Sequence, residues 1–238
     1  MNVAVRPGWV LPHLALSGLT AAVVAASSFG AMGTLTTIDL TQLKWPFAAT
    51  AITPELAGPP QVPAAPPFVL HADAAEARQA VRCLAQAVYF EAGFQPVEGK
   101  RAVAQVIVNR VRDRDFPKTV CGVVYEGSRR RSGCQFSFAC DGSVRRRPPT
   151  ADELASAEQI ARDALGGYVM AAVGTATHYH TWKVDPYWND TLVKTAQIGD
   201  HIFYRWPGKA GQPAFLDAQR YAGNEVRAAR QAPRIALG

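Results

Sequence analysis

The sequence predicts an α+β domain, helices first and a small antiparallel sheet after them. Apolar residues recur at helical spacing through residues 73–112 and again through 150–167. Thr- and aromatic-rich runs follow at residues 175–184 and 201–206, with the composition of strands. The chain of 238 residues is 48% hydrophobic, enough for one ordinary domain with a packed core plus flanking segments.

Residues 1–50 read as a signal peptide or membrane anchor. No charged residue stands between Arg6 and Asp39, and Leu14 to Met32 is an apolar, small-residue stretch long enough to cross a bilayer. Everything after it is then expected outside the inner membrane, periplasmic or held at its outer face. Residues 51–71 follow as a linker, because the proline density of TPELAGPPQVPAAPP favours an extended polyproline-like chain. The domain is expected over 72–206. Residues 207–238 are expected as a flexible basic tail with at most one short helix near Asn224–Gln231.

The first helix is predicted to start at Asp73, with Glu76 completing a capping-box pattern. Val81, Leu84, Ala85 and Val88 form its apolar face, and Glu91 continues that face by spacing. Gly93 permits a break, and Pro96 suits the first turn of a second helix over Val97–Arg112, whose buried stripe is Val103, Val106, Ile107 and Val111. A third helix starts at Thr150, with Glu153 in capping-box position, and ends at Gly166–Gly167. The strand at 175–184 places His178, His180 and Trp182 on one face and Tyr179 and Thr181 on the other. The segment with Pro186, Tyr187, Trp188 and Asn189 reads as a loop before the strand at 201–206.

Glu91 is the sharpest chemical feature. A carboxyl on a partly apolar helix face loses hydration, which favours its neutral form and raises its pKa. An acid still protonated near neutral pH can protonate a glycosidic oxygen. Tyr89, Phe136, Tyr179, Trp182 and Trp188 are candidate cleft walls for sugar faces. Ser137 lies in the same QFSFACDG stretch but lacks the G-x-S-x-G setting of a serine nucleophile. Tyr179 or Asn109 is a candidate hydrogen-bond partner for the carboxyl or for an acetamido group.

The net charge of +6 favours polyanions such as an anionic wall, lipid or nucleic acid. No basic stripe interleaved with aromatics points to nucleic acid. Arg129–Arg131 and Arg145–Arg147 read as solvated loops that could touch anionic wall polymer. Cys83, Cys121, Cys134 and Cys140 contain no C-x-x-C pair and, in an oxidising compartment, allow two disulfides. Three pairings are open, with Cys134–Cys140 and Cys83–Cys121 favoured. His178, His180 and His201 could ligate one metal ion, but no H-E-x-x-H is present, and no metal or other cofactor is expected.

Five stretches in order carry a resemblance: AVYFEAGFQPVEGKRAVAQVIVNRV, FPKTVCGVVYEG, CQFSFACDG, ATHYH and IGDHIFYRW. Over Cys83 to Trp206 the chain resembles the SleB/CwlJ-type cell wall hydrolases, the spore-cortex-lytic family. With the non-sporulating proteobacterial members it shares the cysteines and the tyrosine between two histidines. The resemblance implies a lysozyme-like helical catalytic core and matches the first glutamate of the family's E-A-R-G-E-P stretch to Glu91. It further implies lytic transglycosylase chemistry on the MurNAc–GlcNAc bond of peptidoglycan, by a single carboxyl and without metal; muramidase hydrolysis starts with the same acid and stays open, and the protein is expected to be monomeric. Where the family has Arg, Gly and Glu, this chain has Gly93, Phe94 and Gln95, so Glu91 is the one carboxylate of that turn. The rival readings are a metal-dependent N-acetylmuramoyl-L-alanine amidase using the three histidines and an inactive wall-binding module.

Overall fold

The computed structural model describes residues 62–130, 133–217 and 220–232. The expected anchor (1–50) and residues 51–61 of the expected linker lie outside the described residues. Among the described residues, no helix is long and apolar enough to cross a membrane.

Helix α1 spans Ala74–Ala92 and α2 spans Val97–Arg112, close to the bounds read from periodicity. Asp73 caps α1, accepting from the backbone N–H groups of Ala75 (2.8 Å) and Glu76 (3.0 Å). The reciprocal half of that box is missing: the Glu76 carboxylate accepts from Val226 N–H instead, at 3.2 Å. Short helices α3 (Val120–Val124) and α4 (Ser143–Arg146) precede α5, Ala151–Leu165, whose Thr150–Glu153 capping box forms in full.

Ala80, Leu84, Ala85 and Val88 of α1 are fully buried, and α1 lies against α2, α3 and α5. Burying a side chain such as Leu84 stabilises by about 1.5–3 kcal/mol. The single stripe predicted for α2 is too narrow: the helix is buried nearly all round from Ala102 to Arg112. One side packs Val103, Ile107 and Val111 on α1; the other packs Ala102 and Val106 on Val173, Ala176 and Phe203. A helix between two layers must be apolar on both faces, so α2 joins the helical layer to the sheet.

The sheet has three antiparallel strands in the order β1-β3-β2: β1 His178–Thr181, β2 Val193–Ile198 and β3 His201–Arg205. β1 is shorter than the predicted 175–184 run, because Val184 N–H folds back onto the Thr181 carbonyl in a turn. β2 falls in a stretch read as loop. Its half-exposed face carries no strong alternation, but the two-residue Gly199–Asp200 turn joining it to β3 is a hairpin signal. Gly199 holds φ +55°, and a Cβ there would collide with the Gln95 carboxamide.

Both expected domain boundaries move outward. Residues 62–71 are not a free linker: Ala65 and Phe68 are buried, and Leu70 N–H bonds the Leu165 carbonyl at 2.8 Å. The described part of the expected flexible tail returns to the core. Tyr221 packs edge-on to Phe68, and α6 (Glu225–Ala228) lies against α1 and α3. Glu225, fully buried, accepts the N–H groups of Val120 and Cys121 at 2.8 Å each. Free donors at a helix start attract a carboxylate, and α3 takes this one from the far end of the chain.

The cysteines pair as Cys83–Cys121, which ties α1 to α3, and Cys134–Cys140.

Candidate active site

Glu91 stands on the last turn of α1, partly buried where the helix end meets the sheet. The Tyr179 hydroxyl donates to Glu91 Oε2 at 3.1 Å. Burial raises the Glu91 pKa above the ordinary carboxyl range; the Tyr179 hydrogen bond and the Arg110 charge oppose the rise, and Asp141 adds to it. Burial and the neighbouring Glu91 push the Tyr179 phenol well up, so it remains a donor. The pair is a carboxyl whose neutral form burial favours, held in one orientation by the Tyr179 hydroxyl.

Residues 174–177 lead into β1 and are clamped by α2. Asn109 Nδ2 donates to the carbonyls of Gly174 (2.9 Å) and Ala176 (2.8 Å), and Arg110 Nε donates to Thr177 at 2.7 Å. Arg110 is buried, lies over the rings of Phe116 and Phe136, and leaves Nη1 buried without a hydrogen-bond partner. Two residues beyond Thr177, Tyr179 reaches Glu91. Arg110 thus sets the strand that sets the acid, and its charge favours the carboxylate form.

Asn109 does not meet substrate: it is fully buried, and its Oδ1 accepts from Gln105 and Arg112 at 2.9 Å each. Tyr89 and Phe136 are core, not cleft wall, at 5% and 3% exposure. Trp188 packs against His178, His180 and Tyr204. Those three residues occupy the sheet face opposite Tyr179, so Trp188 is removed from the acid as well. Trp182 is 57% exposed and donates Nε1–H to Asp200 at 3.2 Å. Ser137 is exposed and lines a cavity of about 350 Å³ with Phe90, Phe138, Ser143, Arg146 and Arg147.

The histidines do not converge. His201 pairs with Thr181 across the strands and packs on the Tyr179 ring, whereas His178 and His180 point to the other face. His180 is also tied to the Thr181 carbonyl and the Tyr204 hydroxyl, each at 2.9 Å. Asp141 is a turn residue, accepting from Ser143 N–H at 2.7 Å, with its pKa lowered chiefly by Ser143.

Sequence reading missed Arg110 and Gln95. The polar pair Asn109–Arg110 inside the apolar run of α2 was the signal for the first. Gln95 accepts from Asp200 N–H at 3.0 Å, so the residue standing where the family has its second glutamate braces the β2–β3 hairpin.

Fold and site together define an α+β domain that presents a partly buried, tyrosine-held carboxyl between a core helix and a sheet. Residues 94–204 match the model of the cell wall hydrolase family. It is similar to the spore cortex-lytic enzyme of Bacillus subtilis (strain 168), 32% identical over 124 residues, covering 52% of this chain and 36% of that protein. The spore cortex-lytic enzyme of Halalkalibacterium halodurans is 36% identical over 126 residues, covering 52% of this chain and 34% of that protein. The chain therefore spans about a third of the length of these curated relatives. Among solved structures it matches the catalytic domain of the Bacillus cereus SleB protein at 30% identity and TM-score 0.46, covering 58% of this chain and 95% of that one.

Proposed function

We propose that this domain cleaves the glycan strands of peptidoglycan by lytic transglycosylation, with Glu91 as its one catalytic residue. The observation that carries the reading is the Tyr179-held carboxyl of Glu91, its pKa raised by burial, with no second carboxylate hydrogen-bonded to it among the described residues. Glu91 gives its proton to the glycosidic oxygen as the bond from the muramic C1 breaks, and the leaving sugar departs as an alcohol. The Glu91 carboxylate then takes the proton of the muramic 6-hydroxyl, whose oxygen closes on C1 to form a 1,6-anhydro ring. Glu91 ends protonated as it began, and no water is consumed. A paired-carboxylate hydrolase needs a second acid aligned on the same bond. Asp141, the nearest by its electrostatic effect, is held ionised in its own turn. The names of the relatives, cortex-lytic enzymes, support a wall substrate.

The same reading places the protein outside the inner membrane as a monomer, with residues 1–50 as its leader or anchor. Two disulfides suit an oxidising compartment. Mass spectrometry of muropeptides released from purified sacculi tests the chemistry. Anhydro-muramic ends are expected. Reducing ends would replace transglycosylation with hydrolysis, and release of stem peptides alone, or of nothing, would overturn the reading.

A further inference from the structure

Phe94 is 79% exposed, just beyond the end of α1 and three residues after Glu91. Arg147 lays its guanidinium over the Phe94 ring at 4.5 Å and over Tyr89 at 5.5 Å. Among the described residues Arg147 is in no direct ion pair; aromatic faces hold the cation, and the Glu153 carboxylate feels its charge from a distance. Arg147 and Arg146 line the cavity of about 350 Å³ whose other walls are Phe90, Phe138, Ser137 and Ser143. Phe90 directly precedes Glu91, and its ring stacks on Phe138 at 4.9 Å. The cavity and the acid also share Asp141, which pairs with Arg146 at 3.8 Å and acts electrostatically on Glu91. Gly142 admits this arrangement: it holds φ +79°, and a Cβ there would press on Arg146 Nη1 at 3.0 Å. The result is an apolar floor, two hydroxyls and a guanidinium held on aromatic faces rather than in a direct ion pair, close to the acid.

We propose that this cavity is a subsite for a carboxylate-bearing peptide arm of the glycan substrate, with Arg147 as its anion anchor and Phe94 as the platform that holds Arg147. This rests on the glycan-cleaving reading, since the peptide arm hangs from the muramic sugar whose bond Glu91 would break. A planar guanidinium pairs with a carboxylate through two parallel hydrogen bonds. The subsite separates peptide-bearing wall glycan from neutral glycans of the same backbone.

Binding tests the subsite without cleavage. The full chain carrying Glu91→Gln is titrated by NMR with a peptide-bearing wall disaccharide, the same fragment with its peptide carboxylates amidated, and the peptide-free disaccharide. The carboxylate form is expected to bind most tightly. Adding Arg147→Ala should weaken that ligand by about tenfold and bring it level with the amidated one, because a hydrogen bond to a charged group is lost. Arg147→Lys should recover part of the loss, and Phe94→Gly should fall between. Arg130→Ala removes an equal charge from a surface outside the cavity and should leave the order intact. Equal binding of the three ligands, an order unmoved by Arg147→Ala, or an equal loss in Arg130→Ala overturns the subsite. Failure of the unaltered chain to cleave sacculi is read in a separate assay and bears on the glycan-cleaving proposal.

Discussion

Tyr179 Oη and Glu91 Oε2 lie 3.1 Å apart, and this one contact joins the end of α1 to the first strand of the sheet. The hydroxyl stabilises the carboxylate form and so opposes the effect of burial on the Glu91 pKa. Tyr179→Phe should therefore raise that pKa. The acid form then persists to higher pH, and the alkaline limb of the kcat/KM profile for sacculus digestion moves upward. The same variant should slow turnover by about 10- to 100-fold, since a hydrogen bond to the developing charge is lost. A limb that moved downward would contradict this role.

Glu91→Gln keeps the side-chain shape and removes the transferable proton. Digestion of sacculi should fall by about 10²- to 10⁴-fold, while the circular dichroism spectrum and thermal midpoint stay close to those of the unaltered chain. Digestion at an undiminished rate would remove Glu91 from the mechanism.

Arg110 acts on the acid through position and charge. Arg110→Met withdraws a buried cation that favours the Glu91 carboxylate, so the Glu91 pKa should rise and the alkaline limb should move to higher pH. It also leaves the Thr177 carbonyl without its side-chain donor and loosens the approach to Tyr179. Titrating the Glu91 carboxyl by NMR separates the charge effect from any loss of activity; an unmoved carboxyl would leave Arg110 with a packing role alone.

Glu225 fastens the C-terminal segment to α3. Glu225→Ala leaves two buried N–H groups, those of Val120 and Cys121, without acceptors. Unfolding in urea should show a loss of roughly 2–4 kcal/mol. Burial lifts the Glu225 pKa above its ordinary value. Its contribution to stability is thus fully present below the unfolded-state pKa and declines as pH rises through the folded-state value. A chain ending after residue 217 that unfolds at the same urea concentration would contradict the fastening.

Cys83 and Cys121 close a loop with a sequence separation of 38 residues across the α1–α3 contact. Cys83→Ser with Cys121→Ser should destabilise the oxidised protein by about 3–4 kcal/mol on the chain-entropy account, measured by thermal unfolding without reductant. The double variant should also lose most of the sensitivity of the midpoint to added thiol.

Helix positions were legible because apolar spacing and caps act within a few residues. α1, α2 and α5 stand close to where Val81–Val88, Val103–Val111 and the Thr150–Glu153 box put them. β2 escaped because a half-exposed strand gains its order from β3, which its own residues do not encode. The aromatic residues misled for a related reason: Tyr89, Phe136 and Trp188 have the chemistry of a sugar wall, yet packing assigns the first two to the core and the third to the far sheet face.

By itself the sequence determined the helical framework, the α+β order and the identity of the candidate acid, since periodicity, caps and one carboxyl on an apolar face are local properties. Only the tertiary structure decided what surrounds that acid. Tyr179 lies 88 residues from Glu91 along the chain, and Glu225 reaches α3 across more than 100. Such contacts exist because folding closes long loops and buries polar groups that must find partners, and no local pattern names which partner each one finds.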